Sequence, residues 1–165
     1  MAANQSGQAA IEFGFIAPIL IVLLLAVVDF GRALNYMEVM VGLTRQGSNL
    51  ASRGTALSAS AAAVIAGDSP LNLSKNGEVI ITSVANVKNV TTITGQVSQG
   101  GLSYTSQVGT GVGSKATVPA ASSAVLQNGQ TIYVTEVFYT FQPITPIGQF
   151  VTIVMPSTLY EVAYF

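Results

Sequence analysis

Between Phe13 and Val28 the chain runs for 16 residues without a single charged side chain, and this run limits the folds open to it more than any other feature. As a helix, 16 residues span about 24 Å, short of the roughly 30 Å hydrocarbon layer of a bilayer. Extended to Gln8 through Phe30, the stretch reaches 23 residues, enough to cross a membrane with Glu12 and Asp29 near its two edges. There a carboxylate reaches headgroups or takes up a proton. A cleaved secretory signal is disfavoured, because no Lys or Arg occurs between Met1 and Gly31 to supply its basic start.

The pattern continues past the apolar run. Ala33, Leu34, Met37, Val41, Leu43, Leu50 and Ala51 fall on one helical stripe, with Arg32, Glu38, Arg45 and Arg53 elsewhere, so the helix is expected to project several turns beyond the membrane. Pro18 removes one backbone donor inside it, and a kink is expected there.

Composition narrows the function classes. Only 8% of the 165 residues are charged against 50% hydrophobic, whereas a soluble domain carries about 25% charged residues. Net charge is −1, which excludes a basic nucleic-acid footprint. His, Cys and Trp are absent, so the usual metal ligands, the commonest general base and thiol chemistry are missing. Glu78, Glu136 and Glu161 are too few and too far apart to suggest a paired-carboxylate catalyst. Gly109-Thr-Gly-Val-Gly-Ser-Lys115 imitates a phosphate-binding loop, but Ser114 precedes the lysine where glycine is required, and Ala116-Thr-Val-Pro119 does not begin a helix. No enzyme activity and no cofactor are expected.

Gly7-Gln-Ala-Ala-Ile-Glu12-Phe13 resembles the prepilin-peptidase site of type IV pilins, in which a Gly precedes the cut and a Glu lies at the fifth position after it. The cut would fall between Gly7 and Gln8, leaving Glu12 fifth and Phe13 sixth. Pro18, a leucine run, Asp29-Phe30-Gly31-Arg32-Ala33, and Thr44-Arg45-Gln46-Gly47 leading to Arg53-Gly54 follow. This succession resembles the TadE-like pilins and pseudopilins of tight-adherence (Tad) pilus systems over residues 7 to 54, with a weaker echo in Val137-Phe-Tyr-Thr-Phe-Gln-Pro143-Ile-Thr-Pro146-Ile147.

The resemblance implies a non-enzymatic filament subunit, homo-oligomeric or in a mixed pilin filament. It would be served by a prepilin peptidase and the pilus assembly machinery, held in the bacterial inner membrane before assembly and found afterwards in an extracellular, adhesive pilus. It assigns processing to Gly7, Gln8, Glu12 and Phe13, and filament contacts to Glu12, Gly14, Pro18, Leu23, Asp29, Gly31 and Arg32. The length suits a minor pilin or pseudopilin better than the much shorter major Tad pilins, although a low-charge head also suits continuous packing. Positive-inside counting favours the opposite orientation, because Arg32, Arg45 and Arg53 follow the span; the external placement of the remainder comes from the resemblance. The alternative is a single-span anchored binding protein that does not polymerise.

The fold expected is α+β, pilin-like: a leader over residues 1–7, a long kinked helix over 8–54, and a head over 55–165. In the head, Ala56 to Ala66 reads as a short helix stopped at Gly67-Asp-Ser-Pro70. Glu78–Val84, Asn89–Thr94, Thr131–Phe141 and Ser157–Phe165 read as strands of a small antiparallel sheet, with Asn76-Gly77 and Asn128-Gly129 supplying turns. The Gly/Ser/Thr-rich stretch 97–123 reads as a long, flexible or partner-contacting surface loop with a short strand near Leu102–Val108. Tyr160, Tyr164 and Phe165 are expected in the sheet core or a subunit contact.

Overall fold

The structure, a computed structural model, describes residues 5–119, 126–148, 153 and 155–165. Three helices, α1 (Gln5–Ser52), α2 (Leu57–Ala66) and α3 (Leu73–Asn76), precede or enter a sheet of four strands: β1 (Gly77–Val87), β2 (Val90–Gly100), β3 (Thr131–Thr140) and β4 (Thr158–Tyr164). The sheet order is β2-β1-β3-β4 and every pairing is antiparallel. A long apolar helix with a small antiparallel sheet is the α+β, pilin-like layout that the sequence suggests. The chain divides into two compact units: residues up to Leu34 with Gln142–Ser157, and Asn35–Phe141 with Thr158–Phe165.

α1 continues through Pro18 rather than ending there, although the missing N–H leaves the Gly14 carbonyl without its helical donor. It ends in a Schellman turn. Gly54, at φ +90°, donates to the Ala51 carbonyl at 3.0 Å, and Thr55 donates to Leu50 at 3.2 Å. The left-handed residue that this closure needs is supplied by glycine without a Cβ penalty.

In the second unit, the helix buries Tyr36, Met40, Leu43, Thr44, Gly47, Ser48 and Ala51. This differs from the expected stripe: Leu34 is exposed, and Met37, Val41 and Leu50 are half-buried. The reason is close approach. Ser48 Oγ donates to Thr135 Oγ1 at 2.9 Å and to the Ala163 carbonyl at 3.0 Å, which brings helix backbone near β3 and β4 and favours small and polar residues over leucines. Tyr36 packs edge-on against Tyr139 and Phe141, with ring centroids 5.4 and 5.9 Å away. α2 covers β1 and β2 beside it, burying Ser60, Ala61 and Val64.

The opposite face of the sheet is also covered, so β1 is buried at every residue from Gly77 to Ala85 instead of alternating. Val84, Ile93 and Val134 form a core there with Val108 and Ala116, which come from the stretch that the sequence suggests is a surface loop. Residues 97–100 of that stretch belong to β2, and no strand forms over 102–108. Residues 111–116 lie along the outer edge of β2: Ile93 N–H donates to the Ser114 carbonyl at 2.9 Å, Gly113 N–H to Ile93 at 2.8 Å, and Ala116 N–H to Thr91 at 2.8 Å. The Ser, Thr and Gln residues satisfy this irregular backbone, as where Gln96 Nε2 reaches the Gly109 carbonyl at 2.8 Å and Thr91 Oγ1 reaches Ala116 at 2.9 Å. Residues 120–123 of the expected loop lie outside the described residues.

The β1–β2 hairpin turns at Lys88-Asn89, whose φ values of +53° and +65° fit a two-residue type I′ turn, so Asn89 is turn and not strand. Asn76 ends α3 and Gly77 opens β1 in extended backbone; a Cβ on Gly77 would strike the Phe138 carbonyl and Leu73. Asn128-Gly129 is a turn as expected, with Gly129 at φ +87°.

One carboxyl sits at the centre of the covered face. Glu136, fully buried, is bonded by the Ser106 hydroxyl, the Gln107 amide at 2.8 Å and the Tyr160 hydroxyl at 3.0 Å. Phe138 is sandwiched between Tyr104 and Tyr160, with ring centroids at 4.9 and 4.8 Å. Burial, and then the neighbouring Glu136, push the Tyr160 phenol well above its usual range. The neutral phenol is therefore favoured in the folded state. Its contribution to stability is complete below the unfolded value of about 10 and is lost as pH rises above it. The unfolding midpoint is expected to fall between about pH 10 and 12. Tyr160→Phe should flatten that fall in circular-dichroism melts; an unchanged slope contradicts the assignment.

Candidate functional site: the apolar helix and its Asp29 clamp

Backbone position rather than a pocket defines the site. In the first half of α1, thirteen large apolar side chains between Ile11 and Phe30 are exposed, Phe13 and Leu23 among them. Covering that surface is worth on the order of 20 kcal/mol, which is a strong drive towards lipid or other apolar helices. Gly7, Gly14 and Gly31 face open space, with nothing within 4 Å of where a Cβ would sit, so each allows a second backbone to come close.

At the N-terminal end, Gln8 Nε2 donates to Glu12 Oε1 at 3.0 Å, one helical turn on, and both residues are exposed. Gly7 and Gln8, on either side of the cut that the resemblance implies, therefore lie in helix, with Gln8 reaching Glu12.

Asp29 has a different occupation from the one its position in the sequence suggests. It is 0% exposed and accepts hydrogen bonds from Ile144 N–H at 3.0 Å, Thr145 N–H at 3.4 Å and the Thr145 hydroxyl. Arg32 Nη1 lies 3.8 Å from Asp29 and donates to the Gln142 carbonyl at 3.5 Å. A carboxylate at the end of an apolar stretch is thus supplied with donors from its own chain, which offsets its desolvation. The partner segment is the Gln-Pro-Ile-Thr stretch of the C-terminal echo, so two separate parts of the sequence resemblance meet in space.

Among the described residues, no cluster of Asp or Glu is arranged to hold a metal ion. Residues 7–49 match the family model described as TadE-like protein. This segment is TadE-like. No curated protein and no solved structure shows significant similarity to the chain. The TadE-like match covers Gly7 to Phe13, the exposed apolar stretch, Asp29, Arg32 and the part of the seating face from Tyr36 to Ser48. The match covers about a quarter of the chain, and by length and composition the apolar half of the helix suffices to cross a membrane.

Tyr36, Met40, Gly47 and Ser48, as well as Ile144 and Thr145, have no individual role in the sequence analysis, although Gly47, Ile144 and Thr145 stand in stretches that carry the resemblance. The first four have helical spacing but mixed polarity. For the last two the available signal is Pro143 and Pro146, which bracket a turn with few free amides.

Proposed function

We propose that the chain is a structural subunit of a Tad-type pilus, stored in the bacterial inner membrane through α1 and packed by the same apolar surface into a filament core. The β-rich head is carried at the cell surface, where it serves adhesion. The observation that carries this reading is the exposed apolar half of α1, joined to a TadE-like segment. Lipid contacts and helix contacts satisfy the same side chains, so transfer from bilayer to filament leaves no apolar surface in water.

Prepilin peptidase cuts between Gly7 and Gln8 in this scheme, and the new amine lies about a turn from Glu12. Glu12 of one subunit pairs with such an amine, its own or a neighbour's, which makes entry of each helix dependent on register. Gly14, Pro18, Leu23 and Gly31 line the packed surface, while Arg32 and Asp29 hold its head-proximal end. Catalysis has no place in this role.

Shearing fibres from cells tests the proposal. Intact protein is expected in the sheared fibres with Gln8 as its first residue by mass. Glu12→Ala should reduce recovery by about a hundredfold or more, the effect of leaving one buried charge unpaired. Retention in the membrane fraction alone, with no protein in fibres, would support a non-polymerising anchor instead.

A further inference from the structure

We propose that residues 142–148, together with Ile153, form a second lipid contact: with Ile144 and Thr145 clamped to α1 by Asp29, Ile144 and Ile153 lie in the boundary between headgroups and hydrocarbon. The inference rests on the bilayer-stored state of the proposed function and adds an element that the helix alone does not provide.

Depth comes first. Asp29 directly follows the uncharged run Phe13–Val28, so it sits where the hydrocarbon ends if the helix spans. Its bonds to Ile144 and Thr145, and that of Arg32 to Gln142, fix the start of the segment at the same level. Composition agrees: no Asp, Glu, Lys or Arg occurs from Val137 through Tyr160. Ile144 is 65% exposed and Ile153 79% exposed, a poor use of isoleucine against water.

The backbone gives independent support. A segment entering a low-polarity layer must satisfy its amides internally. Pro143 and Pro146 have no N–H; Ile144 and Thr145 donate to Asp29, and Gly148 donates to the Thr145 carbonyl at 3.0 Å. Most donors from 143 to 148 are therefore removed or paired without water. An ordinary hydrated loop has no need of that economy.

Because the chain contains no tryptophan, a single introduced indole is a clean reporter. Four full-length variants, Ile144→Trp, Ile153→Trp, Leu23→Trp and Val112→Trp, are reconstituted in phosphatidylcholine and phosphatidylglycerol vesicles, with or without lipids brominated near the top of the acyl chain. Indoles at 144 and 153 are expected to emit at shorter wavelength and to be quenched at least about twofold by the shallow bromines, as interfacial groups are. The indole at 112, on the head, should remain unquenched. Quenching at 23 with none at 144 and 153 overturns the proposal and leaves the membrane-spanning helix intact. No quenching at 23 removes both. A blue shift at 144 that depends on protein concentration and not on brominated lipid overturns it in favour of contact with a second copy. Asp29→Ala combined with Ile144→Trp should halve the quenching at 144; unchanged quenching shows that Asp29 does not set the depth.

Discussion

Gly47→Val is expected to lift the second half of α1 off the sheet and to destabilise the head by about 3–5 kcal/mol, summing overpacking and lost hydrogen bonds. A Cβ at position 47 would stand 2.8 Å from both Cγ2 and Oγ1 of Thr135 and 3.0 Å from Val64. Thr135 is buried in the central strand β3 and Val64 in α2, so neither can withdraw towards solvent. Retreat of the helix instead breaks the two Ser48 bonds to Thr135 and Ala163. Denaturant unfolding of the full chain in micelles, followed by circular dichroism, measures the loss. Gly47→Ala should cost less, and less again in a Thr135→Ala background, because that change removes both clashing atoms. An unfolding midpoint equal to that of the parent would refute the close approach.

Glu136→Leu should be comparably severe, costing about 3–5 kcal/mol although leucine is more apolar than the residue it replaces. The substitution leaves the Ser106 hydroxyl, the Gln107 amide and the Tyr160 hydroxyl without their acceptor beneath a closed surface. Glu136→Gln keeps one carbonyl oxygen for Gln107 and Tyr160, and Ser106 can turn to accept from the new amide, so its cost should be under half as large. Faster amide exchange at Gln107 in the leucine variant is the local readout. Equal stability of Glu136→Leu and the parent would mean that the carboxyl is not what ties the 102–119 stretch to the sheet.

The elements with a strong periodic signal were legible in the sequence. β-branched and aromatic residues placed the strands at 78–84 and 131–141 close to β1 and β3, and the Ala/Ser stretch ending at Gly67 placed α2 within one residue. Those that depend on tertiary contact were not. Lys88-Asn89 lacks the glycine that normally announces a type I′ turn, so its positive φ values come from the register of β1 on β2. Val108 and Ala116 are single apolar residues among Gly, Ser and Thr, and only the folded sheet reveals that they meet Val84, Ile93 and Val134. At the site, the positions Gly7 to Phe13 are local and readable, whereas the partners of Asp29 lie 115 and 116 residues away. No spacing rule reaches that far.

The division of the chain into two units carries a mechanical consequence. The backbone passes from one unit to the other at Leu34–Asn35, at Phe141–Gln142 and at Ser157–Thr158. The two units are therefore joined by three covalent threads. Two of them leave from neighbouring strands at their last pair, Thr140 and Thr158. A pull through these two draws both strands the same way, so the rungs between β3 and β4 are not sheared against each other.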